Sequence, residues 1–251
     1  MFDTVLIDGD ITAYQVCSAA EKEWDWGGDV WTLWSDRAEV RAKFHEAISE
    51  ILEKTEAAKC VIAFTDSRNF RKDVLESYKG NRAGVRKPMH LAYLREWAAE
   101  HWKVVVKPNL EGDDVLGILA TMNPKSSFIY SADKDMKTLP CALWSQDDRI
   151  VYHNNELVAD WWFMLQTLTG DTTDNYKGCP GIGPKKAQDI LGEPGMAPID
   201  DLWPRVVKAY EKAGLTEDDA LVQARCARIL RHTDYSTEEG AVKLWTPPRS
   251  K

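Results

Sequence analysis

An α/β fold with a mostly parallel central sheet, followed by a mainly helical region, is the architecture the sequence predicts. Short β-branched and apolar runs recur in the manner of buried strands: TVLI (4–7), CVIAFT (60–65), KVVVK (103–107), SFIYS (127–131) and CALW (141–144). Helical periodicity fills the gaps between them, the alternation expected of parallel strands joined by crossover helices. After about residue 155 the strand signals stop and helical patterns take over.

The elements follow in chain order. Behind the first strand, Trp24, Trp26, Gly27, Gly28, Trp31, Leu33 and Trp34 read as a hairpin turning at Gly-Gly or a loop packed by its tryptophans. Packing is the expected use of those rings, ahead of stacking on bases. Asp36 and Glu39 fit a capping box, and Val40, Phe44, Ala47, Ile48, Ile51 and Leu52 then recur at helical spacing. Val115, Leu116, Ile118, Leu119 and Met122 mark another helix. Asp160 can cap a helix through Phe163, Met164, Leu165 and Leu168, and further helical patterns cover 184–192, 201–213 and 217–231. The expected division is an α/β domain over 1–155 and a helical domain over 156–251, with a frayed TPPRSK tail.

Composition limits the function. The 251 residues, 44% of them hydrophobic, suffice for one large domain or two small ones. No apolar run is long enough to span a membrane, and the acidic start, with Asp3, Asp8 and Asp10, does not resemble a signal peptide. The five cysteines are odd in number, scattered and without CxxC spacing, so buried free thiols and a cytoplasmic setting are expected. The net charge of −8 argues against general attraction to nucleic acid. Against that average, residues 68–87 hold Arg68, Arg71, Lys72, Lys79, Arg82, Arg86 and Lys87, which read either as a binding patch or as an ordinary solvated face.

The carboxylates stand where strands end. Asp8 follows TVLI and Asp66 follows CVIAFT; Glu111, Asp113 and Asp114 come shortly after KVVVK, and Asp133 and Asp135 follow SFIYS. In a parallel sheet these ends share the edge where ligand sites form. Asp171 and Asp174 can join them from the helical region. One Asp after a strand is an ordinary turn or cap residue. Four strand ends with the same habit point instead to hard cations, because such crowded carboxylates would otherwise protonate. Oxygen ligands alone favour Mg²⁺, two or more ions, with Mn²⁺ able to substitute. Paired cations of that kind suit phosphodiester hydrolysis.

GCPGIGPKKA is the most specific segment. Gly181 and Gly183 permit a tight turn with exposed backbone, Pro184 suits a first helical turn, and the free amides behind it can bind a phosphate oxygen. Lys185 and Lys186 add charge. The whole is a helix–hairpin–helix pattern that holds a nucleic-acid backbone without reading bases; a plain glycine-rich turn is the alternative.

With these motifs in place, the chain resembles the 5′-nuclease superfamily of flap endonucleases and phage 5′-to-3′ exonucleases. LIDGD is similar to its first acidic motif, FTDSRNFRKDVLESYKGNR to the second, EGDDVLG to Glu-x-Asp-Asp and SADKDMKTL to Asp-x-Asp. TGDTTDNYKGCPGIGPKKA is similar to its last acids and helix–three-turn–helix. The short form and YKGNR resemble podovirus-type phage exonucleases, with no polymerase domain expected to follow.

The resemblance implies a PIN-like sheet, and a metal-dependent 5′-to-3′ exonuclease of phage DNA replication or recombination that works by two metal ions. It places Asp8, Asp66, Glu111, Asp113 and Asp114 at a first metal and Asp133, Asp135, Asp171 and Asp174 at a second. Lys79 and Arg82 would contact the scissile phosphate, and Tyr78 would stack on a base. Gly181, Gly183, Lys185 and Lys186 would grip the duplex, and a K⁺ ion would sit at the hairpin. The partner implied is double-stranded DNA with a 5′ end, nick or flap, and also an RNA–DNA hybrid, acted on by a monomer.

One departure concerns the arch that the family places over its site. Only 31 residues lie between Lys79 and Glu111, which leaves a short arch over about 78–100 and favours exonuclease over flap action. The rival readings are a haloacid-dehalogenase-type phosphatase, with Asp8 as nucleophile and Asp10 as acid/base, a non-catalytic DNA-structure-binding protein, and a PIN-type ribonuclease. The first leaves most of the acids and the hairpin without roles. The second would be expected to have lost acids that are all present here.

Overall fold

The computed structural model describes residues 2–145 and 149–248. A six-stranded sheet forms from β1 (Thr4–Asp8), β4 (Lys59–Ala63), β5 (Val104–Val105), β6 (Ser127–Tyr130), β7 (Ala142–Ser145) and β8 (Ile150–His153), in the order β5-β4-β1-β6-β7-β8. All neighbours are parallel except β7 and β8. Each predicted strand is present, though KVVVK pairs over only two residues. The strand β8 was not anticipated; its IVYH is short and mostly exposed, so it lacks the apolar run that marks the buried strands.

Helices cover both faces. α1 (Gly9–Ala19), α2 (Arg37–Thr55) and α4 (Leu91–His101) close one, sharing a core of Val5, Ile7, Phe44, Ile48, Ile62, Leu94 and Phe128. α5 (Gly112–Met122) closes the other, with Leu6, Val115, Leu116, Ile118 and Ile129. Each such side chain contributes about 1.5–3 kcal/mol on full burial. Gly9 permits the tight entry to α1, since a Cβ there would lie 2.6 Å from Ile62 Cγ2 and 2.7 Å from the Ala63 carbonyl oxygen. Asp36 caps α2 through the Ala38 and Glu39 amides, while Glu39 turns to Lys22 rather than completing a box.

The tryptophan segment forms the expected hairpin, β2 (Lys22–Asp25) with β3 (Trp31–Trp34). Its rings do not pack inward as expected: Trp24, Trp26, Trp31 and Trp34 are all more than half exposed. The arch segment also differs from a free-standing bridge. After the short α3 (Arg71–Val74), residues 77–82 bond to the 172–175 turn, and α4 packs into the α/β core.

Beyond β8, α6 (Glu156–Thr169), α7 (Pro184–Leu191), α8 (Ile199–Lys212) and α9 (Glu217–Ala227) share one core around Phe163, Leu168, Leu202, Val206 and Tyr210. α6 begins five residues earlier than expected, capped by Asn155. Asp160 is therefore not its cap; it is buried inside the helix and accepts from Arg231 Nη2 at 2.6 Å. The last helix stops at Ala227, after which Ile229 and Leu230 return to pack against α5. A short ribbon, β9 (Tyr235–Ser236) with β10 (Ala241–Val242), completes the chain. All five cysteines are free, four of them buried, and no helix among the described residues is long and apolar enough to cross a membrane.

Candidate active site

The parallel strands deliver their C-terminal ends to one edge. Register aligns Asp8 with Ala63 and Ile7 with Tyr130, so the segments carrying Asp8, Asp66 and Asp133 leave the sheet side by side. The start of α5 is fixed at the same edge, where the Gly112 amide donates to Thr65 Oγ1 at 2.9 Å.

Asp8 is buried. Its Oδ1 accepts from the Ile11 amide and its Oδ2 from Ser131 Oγ, at 3.0 and 2.8 Å. Burial, with the charges of Asp10 and Asp133, still pushes its carboxyl up to about 6. Asp113 is raised well above the usual carboxylate range by burial and by Asp8, Asp133 and Glu111. Asp135 rises to about 7, again by burial first and then by Asp133 and Asp171. Asp10 is turned away from a free acid/base role, since its Oδ2 accepts from the Thr65 amide at 2.8 Å.

The loop carrying the last acids is shaped by its glycines. Asp171 and Tyr176 exchange backbone hydrogen bonds, and Asp171 Oδ1 accepts from the Thr173 and Asp174 amides. The loop closes because Gly170 and Gly178 meet backbone to backbone; a Cβ on Gly178 would lie 2.3 Å from the Gly170 nitrogen. Both adopt positive φ, which glycine tolerates best.

Cations answer other members of the set. Lys79 pairs with Glu111 and lies 3.4 Å from Asp174 Oδ2, while Arg82 Nη2 lies 2.7 Å from Asp174 Oδ1. Burial lowers the Lys79 pKa, but Glu111 and Asp174 outweigh it, so the ammonium is held above its usual value. Burial likewise opposes the Glu111 charge, yet Arg71, Lys79 and Tyr78 hold that carboxyl down at about 2.

Two residues expected at the site stand otherwise in the structure. Asp114 faces an internal cation: it is wholly buried, both its oxygens meet Arg71 at 2.7 Å, and the Leu230 and Glu111 amides take the remaining acceptor positions. Tyr78 is not presented to a base. It is buried, stacked at 6.4 Å on Tyr176, and donates to Glu111 Oε2 or Asp174 Oδ2. Nor do residues 68–87 form one basic patch: Arg71 is internal, Lys79 and Arg82 line the acidic cleft, and Arg86 pairs with Glu21.

Arg71 is the residue sequence reasoning missed. Besides Asp114 it reaches Glu111 and the Cys226 and Arg228 carbonyls, joining the acidic edge to the end of α9. Ser131, which donates to Asp8 and accepts from the Asp133 amide, was missed too. Neither had a local signal: an arginine in a basic run and a serine after a strand are both commonplace.

Asp66 stands at the rim, its carboxylate accepting from the Asn109 amide at 2.9 Å. Among the described residues, no three acidic, histidine or cysteine side chains already converge as a formed metal site. The donor set nevertheless suits hard cations. It is all oxygen, and Asp8, Asp113 and Asp135 are pushed towards protonation by burial and by the charge of Asp133.

The hairpin is open to solvent. Gly181 has φ +73°, a Cβ on Gly181 or Gly183 would meet nothing within 4 Å, and Gly183 caps α7 with Pro184 as its first residue. Lys185 and Lys186 are exposed, and Lys186 Nζ donates to the Gly181 carbonyl at 2.9 Å. Beside the hairpin a groove of about 620 Å³ is lined by Lys186, Arg205, Lys208 and Lys212.

Comparison with known proteins gives the family and the fold. The family model of the 5′-3′ exonuclease N-terminal resolvase-like domain matches residues 3–161. The exonuclease of Escherichia phage T7 is 33% identical, with 97% of this chain and 93% of the relative covered. The exodeoxyribonuclease of Enterobacteria phage T3 is also 33% identical, over 97% and 92%. Among solved structures, T5 5′-exonuclease with bound zinc superposes with a TM-score of 0.67 at 17% identity, covering 89% of this chain and 88% of that one, a likeness of fold.

Proposed function

The chain belongs to the 5′-3′ exonuclease family, and from that premise we propose that it hydrolyses phosphodiester bonds from the 5′ ends of duplex DNA with divalent cations. The observation that carries this reading is the contrast inside the cleft. Burial and the charge of Asp133 press Asp8, Asp113 and Asp135 towards protonation, while Lys79 and Arg82 pair with Asp174. Strand ends from a phosphatase of the haloacid-dehalogenase type would need Asp10 free, and here Asp10 is bonded to Thr65.

Asp8, Asp113, Asp133, Asp135, Asp171 and Asp174 are the residues we assign to holding the cations, with Asp66 and Glu111 at the margin. An all-oxygen set favours Mg²⁺, with Mn²⁺ as substitute. Bound there, such ions lower the pKa of an attacking water and stabilise a leaving oxygen. Lys79 and Arg82 exchange their carboxylate partners for the phosphate to be cut and offset its growing charge. Gly181, Gly183, Lys185 and Lys186 hold a duplex phosphate away from the cut, assisted by the basic groove next to them. A K⁺ ion at the hairpin would be held by backbone carbonyls; that of Gly181 accepts from Lys186 Nζ.

The substrates this reading gives are duplexes with a 5′ end, nick or flap; a hybrid with a 5′ RNA strand offers the same bond and tests the sugar requirement. One gel tests the whole proposal. Duplex DNA labelled at its 5′ end is incubated with Mg²⁺ and, separately, with chelator. Label is released only with the metal; intact substrate in both lanes would refute the reading.

A further inference from the structure

A second cavity borders the acidic cleft. It encloses about 760 Å³ between the β7–β8 edge of the sheet and α6, and Ser131 and Asp133 form part of its wall. That size is in the range of small-ligand sites. Two kinds of residue stand out in the remaining walls. Tyr152, 36% exposed on the edge strand, and Trp162 on α6 present aromatic rings, and Leu143 and Met136 also line the cavity. Lys134 and Lys137 present ammonium groups. Lys137 Nζ lies 5.0 Å from the centre of the Trp162 ring, and Lys134 is three-quarters exposed, 3.8 Å from Asp171.

Aromatic faces beside cations suit one chemical unit, a planar base carrying a phosphate. Polar and apolar walls are both supplied, and Lys134 stands at the side that meets the cleft. The geometry points to this cavity as a site for a single unpaired nucleotide, its base against Tyr152 and Trp162 and its phosphate between Lys134 and Lys137. This rests on the nuclease reading for its source of nucleotides. Two sources share that chemistry: a mononucleotide just released, and an unpaired 5′ nucleotide still joined to the duplex.

Binding measured in chelator separates them without any cleavage. The probes are deoxyadenosine 5′-monophosphate, a duplex with a short single-stranded 5′ tail, and a blunt duplex. The variants are Tyr152→Ala and Lys137→Glu, both on the surface; Trp162→Ala is avoided because Trp162 packs edge-on against Trp161. Each variant weakens binding of the mononucleotide, the tail or both by about tenfold and leaves the blunt duplex unchanged. Loss for the mononucleotide alone assigns the cavity to the product, and loss for the tail alone assigns it to the strand before cutting. Equal loss on the blunt duplex, or no loss on any probe, overturns the inference. A protein that binds as described here yet never cuts DNA with Mg²⁺ would refute the proposed activity and leave this site standing.

Discussion

The acidic cleft has two halves that treat negative charge in opposite ways. On one, Glu111 and Asp114 are matched by the chain's own cations, Arg71 and Lys79, within hydrogen-bond distance. On the other, Asp8, Asp113 and Asp135 crowd against Asp133 without comparable partners, and their carboxyls are pushed up. The sequence presents all of these as the same residue type after the same kind of strand. What separates them is a pair of cations, Arg71 and Lys79, brought from residues 71 and 79 to the start of α5. Within the matched half, Asp114 with Arg71 is structure and Glu111 with Lys79 borders the cleft; the unmatched half is held ready for charge from outside.

The largest expected effect belongs to the unmatched half. Asp133→Ala should lower cleavage of 5′-labelled duplex by about a thousandfold, while binding of the same duplex in chelator is retained. A variant that cuts at the normal rate would mean that Asp133 belongs with the structural acids. The matched half should respond in the opposite currency. Arg71→Met leaves Asp114 and Glu111 buried without their shared partner, and should destabilise the fold by about 3–5 kcal/mol. Asp113→Asn removes repulsion and should leave the metal-free melting temperature unchanged or higher. If both substitutions lowered melting equally, the division into halves would fail.

Most of the sheet could be read from the sequence because buried parallel strands carry unbroken apolar runs. The acid-bearing edge followed from those runs, since a parallel sheet sends every strand's end to one side. The division of labour among the acids could not be read. Asp113 and Asp114 are neighbours on one helical turn, and only the fold turns one towards Asp8 and the other towards Arg71. Tyr78 was misjudged for the same reason: a tyrosine in a basic loop suggests a stacking ring, but Tyr176 and Arg71 enclose it. The tryptophan hairpin misled in the other direction. Its apolar rings suggest burial, whereas among the described residues the four tryptophans stay more than half exposed.

The subtlest effect is on pH dependence, and it sets the two halves against each other directly. Asp8 and Asp135 titrate near 6 and 7 in the folded chain, above the ordinary 3.8. A raised acid binds its proton more tightly when folded, so its stabilisation is complete below about pH 4 and is lost as pH rises to about 7. Glu111, held at about 2 against an ordinary 4.5, works the other way: its stabilisation is complete above about 4.5 and is lost as pH falls towards 2. Without metal, the melting temperature should therefore decline between about pH 4.5 and 7. Saturating Mg²⁺ should abolish that decline, because the cation replaces the protons that the unmatched acids give up. Melting curves across this range, with Mg²⁺ and with chelator, provide the measurement. Parallel curves would show that the unmatched acids do not hold the ion, and the cleft would then have only one kind of half.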